Sequence, residues 1–186
     1  MNETAPEHNI FLVTGPVQGG KTTFLTQLVT GLIKKGFHVG GFLSPGSIES
    51  GVRSGFRLKN IATGEEYEMA SARESTSWIK YRTFWFNPKA FQVGREWIRT
   101  CIKQVPSVMV IDEVGPMELE GSGWSAELDY LKSTLFPVQL WSVREGIVQE
   151  VKERWDIPSG QLIRIENMNW EQALEQISAL LDQKKK

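Results

Sequence analysis

Two short stretches hold residues whose types and spacing can do chemistry. The first reads Gly15-Pro16-Val17-Gln18-Gly19-Gly20-Lys21-Thr22, directly after the apolar run Ile10-Phe11-Leu12-Val13. It fits G-x-x-x-x-G-K-[ST], the loop that cradles phosphates. Glycines let backbone N–H groups turn inward without a Cβ in the way, so the loop forms a cup for anionic oxygens. A helix that begins beneath the cup adds its own free N–H groups and the positive end of its dipole. Lys21 can then reach β- and γ-phosphate oxygens, and the Thr22 hydroxyl can serve Mg2+. Thr23 fits either a contact to an α-phosphate or an ordinary place in the first helical turn. A glycine turn with a surface lysine is the plainer reading. A chance match in a chain this long is on the order of 1 in 100, which favours the phosphate loop.

The second stretch is Val108-Met109-Val110-Ile111-Asp112-Glu113. Mg2+ takes hard oxygen ligands and keeps several waters, and an Asp at the end of an apolar strand suits its shell. An Asp after four apolar residues says little alone; its meaning comes from the phosphate loop upstream. Glu113 follows at once and projects from the opposite side of the strand. That offset suits a group that orients water beside a γ-phosphate, against the plainer reading of a strand-end charge in solvent. The combination predicts a nucleoside triphosphate as binding partner and Mg2+ as cofactor.

The elements that must position these residues follow from periodicity. Residues 10–14 read as a buried strand, and 23–35 as a helix with Phe24, Leu25, Leu28, Leu32 and Ile33 at helical spacing, ended by Gly36. Val39 to Leu43 is a second strand. Gly55 to Leu58 and Glu66 to Met69 alternate around Asn60 to Gly64, a hairpin signal. The aromatic stretch Trp78 to Phe86 reads as one further strand. A helix is expected over 90–103, starting near Asn87-Pro88, then a strand over 107–111, a glycine-containing loop and a helix near 126–133. A strand over 137–142, a helix over 146–154, a short strand over 162–165 and a helix over 170–183 complete the chain. Strands alternating with helices imply a mainly parallel sheet covered on both faces. The hairpin, at about residues 53–70, is expected as an insertion at one edge of a single domain spanning residues 1–186.

The whole chain is compatible with this. At 186 residues, 40% hydrophobic and 23% charged, it can bury a core without a metal or disulfide. A net charge of −1 supplies no basic field, so nucleic-acid binding is not expected. The single cysteine, Cys101, reads as a small buried residue on a helix and fits a reducing compartment. No apolar run approaches the ~18 residues of a membrane span, and the opening residues MNETAPEHN lack a signal peptide's pattern. A cytoplasmic location is expected. Lys184 to Lys186 read as a solvated helix end, and His8 and His38 show no metal-ligand spacing. Met117, Trp124 and Trp141 read as packing residues. Arg53 and Arg57 could approach a ligand, but a solvated hairpin face is the favoured reading.

Four segments together resemble a known family. GPVQGGKTT, GGFLSPG followed by SGFRLKN, VIDEVGPMEL and VQLWSVREGIVQEV are similar to the small nucleoside-triphosphatases that include cancer-related nucleoside-triphosphatase and its thermophile relatives. The signature Asp112 to Leu119 is more specific than the phosphate loop. The resemblance implies a three-layer RecA-like P-loop fold and Mg2+-dependent hydrolysis to diphosphate and phosphate, with loose preference among bases. It implies a nucleotide-binding set of Gly15 to Thr23 with Asp112, Glu113 and Gly115. It also puts Arg144 where the family has a strand-end arginine, able to stabilise charge on the γ-phosphate, against the plainer reading of a surface arginine with a solvated head. Ser142, two residues earlier, could sense the phosphate by hydrogen bond, which is the less favoured of its readings. This chain departs from the family at Val17-Gln18-Gly19, at Pro116, where a lysine is common, and in the aromatic richness of residues 78–86.

Other readings use the same residues differently. A kinase could pass the γ-phosphate to a small hydroxyl compound beneath a basic lid built from Arg73, Arg82, Arg95 and Arg99. A GTP-binding switch would use Asp112 to Gly115 as its D-x-x-G, yet the guanine-reading Asn/Thr-Lys-x-Asp element is absent from 139–144. An accessory of molybdenum-cofactor assembly would share only the GKTT of the first 35 residues.

Overall fold

The strand Ile10–Gly15 (β1) feeds the helix Lys21–Lys34 (α1) through the glycine loop in the computed structural model, which describes residues 9–134, 136–158 and 161–184. The opening residues, including His8, and Lys185 and Lys186 lie outside the described residues. The chain continues through Val39–Leu43 (β2), Gly46–Glu49 (β3), Val52–Asn60 (β4), Glu66–Ser71 (β5), Ile79–Tyr81 (β6) and Phe84–Phe86 (β7). Then come Pro88–Gln104 (α2), Val108–Val114 (β8), Pro116–Leu119 (α3), Ser125–Ser133 (α4) and Val138–Arg144 (β9). A 3-10 turn Glu145–Ile147 leads into Val148–Trp155 (α5), Leu162–Arg164 (β10) and Trp170–Gln183 (α6).

All ten strands share one sheet in the order β10-β1-β9-β8-β2-β4-β5-β7-β6, with β3 paired to β4 off that path. From β10 to β2 every pairing is parallel. Beyond β2 every pairing is antiparallel. The split follows from the connections. The parallel strands are joined by helical crossovers, while short turns permit only antiparallel neighbours. β9 lies between β1 and β8, so the phosphate loop and the strand carrying Asp112 and Glu113 are two strand spacings apart, about 10 Å. That gap sits at the carboxyl ends of the parallel strands, where open α/β sheets bind ligands.

Alternation along the strands divides the core between two faces. Val13, Val110 and Leu140 pack under Leu25, Leu28 and Ile177 of α1 and α6. Leu12, Ile111 and Trp141 face Ile98, Leu128 and Val151 of α2, α4 and α5. Trp124 and Trp141 are fully buried, as packing residues should be. Trp124 meets the rings of Phe42 at 4.8 Å and Phe91 at 5.0 Å, and Gly94 leaves the room its ring requires on α2. Cys101 is buried on α2 and accepts the Gly41 N–H at 3.3 Å. Burial pushes its thiol up, away from a reactive thiolate.

Local signals explain several boundaries. Asn87 caps α2 by accepting the Lys89 N–H, with Pro88 in the first turn. Asn169 and Gln172 form a reciprocal capping box on α6. The Asn60 side chain accepts the N–H groups of Ala62 and Thr63, which closes the β4–β5 turn.

Two expectations are corrected. Residues 78–86 are not one strand: β6 and β7 form a hairpin in which Tyr81 pairs with Phe84 and Arg82 adopts a left-handed φ of 53°. The turn pair Arg82-Thr83 contains none of the Gly or Asn that usually announces such a bend. The inserted hairpin is also part of a larger extension, because 46–86 adds five strands to the sheet. No helix among the described residues is long and apolar enough to cross a membrane.

Candidate functional site

The loop after β1 turns on two left-handed residues, Gln18 at φ 58° and Gly20 at φ 92°. Gly20 caps α1 with no side-chain bond, and no acidic residue occupies the first turn. The helix start therefore keeps N–H donors for an incoming anion. Lys21 is 6% exposed and donates to the carbonyls of Gly15 at 3.3 Å and Pro16 at 3.1 Å. Burial pulls its pKa below the usual lysine range, opposed by the nearby carboxyls of Glu113 and Asp112.

A cleft opens over this loop. Gln18 to Thr23 line one side, Pro45, Gly46 and Arg53 another, and Glu113 also lines it. Pro16 and Val17 are exposed at the loop's crest, and Gly15 is the buried last residue of β1.

Asp112 is fully buried. Its Oδ2 accepts the Ser44 N–H at 2.9 Å, and its Oδ1 accepts the Glu113 N–H at 3.0 Å and the Ser142 hydroxyl. Three of about four acceptor positions on a carboxylate are thus filled. The remaining one suits a water of a hydrated cation better than a dry contact, in keeping with Mg2+, which holds its waters and leans on substrate phosphates. Thr22 lines the cleft at the start of α1. Among the described residues no group of three or more His, Cys, Asp or Glu forms a metal cage. The donor set therefore fits Mg2+ shared with a polyphosphate.

Glu113 has a φ of 65°, and the β8–β9 register slips between Ile111 and Val114. Its N–H donates both to Asp112 and to the Ser142 hydroxyl at 2.8 Å. The bulge turns Glu113 out of the pleat while Asp112 stays inside. Burial, and then the Asp112 charge, raise the Glu113 carboxyl above its ordinary range. Arg144, at the end of β9, brings its Nε to 3.9 Å from Glu113 Oε2.

Glu113 lines a second cavity as well. This one is walled chiefly by Phe56, Tyr81, Phe84, Phe86, Phe91 and Met117. Arg144, Ser44 and Gly115 also line it. Gly115 therefore sits beside the aromatic cavity, not the phosphate cleft, and its N–H is already given to Glu118 Oε2 at 2.8 Å.

Three residues take places other than the favoured sequence reading. Arg53 lines the phosphate cleft, the less favoured of its two readings, on a β3–β4 ribbon that is bulged at Ser47/Ile48; Arg57 pairs with Glu66 at 3.2 Å. Ser142 is buried and holds the Asp112–Glu113 pair, which leaves its hydroxyl no free aim at a phosphate. Pro116, in place of a lysine, starts α3. Of the four lid arginines Arg82 lines the aromatic cavity, whereas Arg73 pairs with Glu49 and Arg95 with Glu127, and Arg99 lies exposed on α2.

Glu118 supplies the link between this region and the core. It is buried and accepts the N–H groups of Gly115 and Trp124, at 2.8 and 3.0 Å. Burial pushes its carboxyl up to about 7 against the pull of those donors. With an unfolded pKa near 4.5, the native state keeps this proton at pH values where the unfolded chain has lost it. Its contribution to stability therefore falls as pH rises from about 4.5 to 7 and is level above that. Glu118→Gln removes the titration and leaves one N–H without an acceptor, a loss of about 1–3 kcal/mol. In urea unfolding, the cost of the substitution is expected to be larger at pH 5 than at pH 7.5.

A glycine loop between β1 and α1, an acidic pair two strands away and helices on both faces of the sheet define a P-loop NTPase fold. Two solved structures share it: the human cancer-related nucleoside triphosphatase, with a TM-score of 0.71 at 21% identity over 96% of this chain and 100% of that one, and THEP1 of Aquifex aeolicus, with a TM-score of 0.69 at 23% identity over 92% and 98%. The chain belongs to the NTPase family whose model matches residues 10–178. Among its relatives, the nucleoside-triphosphatase THEP1 of Caldivirga maquilingensis is 30% identical over 89% of this chain and 90% of its own length. That of Methanocaldococcus jannaschii is 28% identical over 89% and 92%.

Proposed function

We propose that the protein hydrolyses nucleoside triphosphates to diphosphate and phosphate with Mg2+. The observation that carries this reading is that Lys21, Thr22 and Glu113 line one cleft over the glycine loop. In this reading the free N–H groups of the loop and of the first turn of α1 bind the α- and β-phosphates, and Lys21 moves from its loop carbonyls to the β- and γ-phosphates. Thr22 and Asp112 are the residues that would hold Mg2+. Mg2+ supplies neutralisation of the phosphate charge that grows as the γ-phosphoryl group departs. Glu113 orients a water for in-line attack and takes its proton as the water oxygen bonds to γ-phosphorus and the bond to the bridging oxygen breaks. Arg144 stabilises charge on the transferring group. The binding contacts go to phosphates, which every nucleoside triphosphate shares, so ATP and GTP are both substrates. The single shared sheet supports one domain spanning residues 1–186, and the lone, buried Cys101 supports a cytoplasmic location.

In H2(18)O with Mg2+, ATP and GTP are each expected to yield phosphate carrying one solvent oxygen, and excess EDTA is expected to stop the release. Release that survives EDTA would remove the metal from the reading. No release from any triphosphate would remove hydrolysis itself.

A further inference from the structure

Glu113 lines both the aromatic cavity and the phosphate cleft. Phosphates lying with their γ end toward Glu113 leave the nucleoside at the other end of the cleft, so the cavity lies beyond the terminal phosphate. Its wall is an aromatic clamp. Phe84 meets Phe56 edge to face at 5.1 Å, and Phe86 stacks on Phe91 at 6.0 Å. Such faces suit a planar ring. Ser44, Glu113 and Arg144 are among the cavity's polar lining groups, together with Arg82, Thr83 and Glu118. Ser44 is 1% exposed, and its hydroxyl has no hydrogen-bond partner although its N–H is bonded to Asp112. A buried hydroxyl costs free energy unless something pairs with it, and here it belongs to a residue of the cavity wall.

We propose that this cavity is a second substrate site, which takes a small aromatic alcohol with its ring in the clamp and its hydroxyl between Ser44 and Glu113. The inference rests on phosphates occupying the loop. The alcohol oxygen then stands where water would attack. Its bond to γ-phosphorus forms as the bond from γ-phosphorus to the bridging oxygen breaks, and its proton passes to the Glu113 carboxylate. The products are a phosphate monoester and the nucleoside diphosphate, with no other reactant needed.

Benzyl alcohol is the probe, followed through the 13C-labelled methionine methyls. Met69 and Met117 line the cavity, whereas Met109 and Met168 do not and serve as internal controls. Titration into the protein with ADP and Mg2+ is expected to shift the Met69 and Met117 signals and leave the other two in place. Phe84→Ala is expected to weaken that binding three- to tenfold, and Ser44→Ala about fivefold. With ATP and Mg2+, free phosphate release is expected to fall at least threefold as benzyl phosphate appears in the 31P spectrum. Unmoved Met69 and Met117 signals would overturn the site. So would the same shifts from ADP alone, since the base would then occupy the cavity. Shifts with phosphate release unchanged, or lowered without benzyl phosphate, would overturn the acceptor role. If ATP is not hydrolysed even without the alcohol, the hydrolase reading fails, while the methyl signals still decide whether the cavity binds.

Discussion

Glu113→Gln is expected to slow phosphate release about 10²- to 10³-fold while changing KM less than about threefold. The amide matches the carboxylate in size and leaves the Glu113 N–H bonds to Asp112 and Ser142 intact. The bulge that aims the side chain therefore survives, and the loop still holds the phosphates. What goes is the group that orients water and takes its proton. The same change is expected to raise the melting temperature, because the fold holds this carboxyl above its ordinary range through burial and the neighbouring Asp112 charge. Replacing it by a neutral amide relieves both. A fall in kcat accompanied by a rise in stability separates a catalytic role from a structural one. Steady-state phosphate release and thermal unfolding on one preparation give both readings, and an unchanged kcat would exclude Glu113 from the reaction.

Lys21→Ala is expected to have the larger effect, with a loss of about 10³-fold or more in kcat/KM. A charge-assisted bond to phosphate is worth about 1.5–3 kcal/mol in binding, and loss of a preorganised cation at the transferring group costs a further 10²–10³ in rate. Lys21 suits this task because its buried ammonium lies on two carbonyls of the loop that forms the cup. Calorimetric titration with ADP and Mg2+ separates the binding loss from the rate loss. Activity equal to wild type would show that the measured hydrolysis comes from another protein in the preparation.

Most of the parallel sheet was legible in the sequence because its strands are short, largely apolar segments set between stretches of helical periodicity. The phosphate loop was legible for a different reason: its chemistry is local, since eight consecutive residues supply the cup, the cation and the hydroxyl. Arg53 was not legible, because its place depends on a bulge between two strands. Ser142 looked like a phosphate sensor when read along β9. Only the adjacency of β9 and β8 turns its hydroxyl toward Asp112 and Glu113. The aromatic residues of 78–86 were visible as a composition, but their partners Phe56 and Phe91 lie on β4 and α2, so no window of sequence contains the clamp. Gly115 belongs to the same lesson: a motif position named its type, and Glu118 decided what its N–H does.

The left-handed backbone at Glu113 is fixed by the protein's own groups, Asp112 and Ser142. A non-glycine residue in that region costs of order 1–3 kcal/mol. The cost is incurred when the chain folds and is not repeated at each turnover. Successive substrates thus meet a side chain already pointed, and the reaction does not wait for that part of the machinery to assemble.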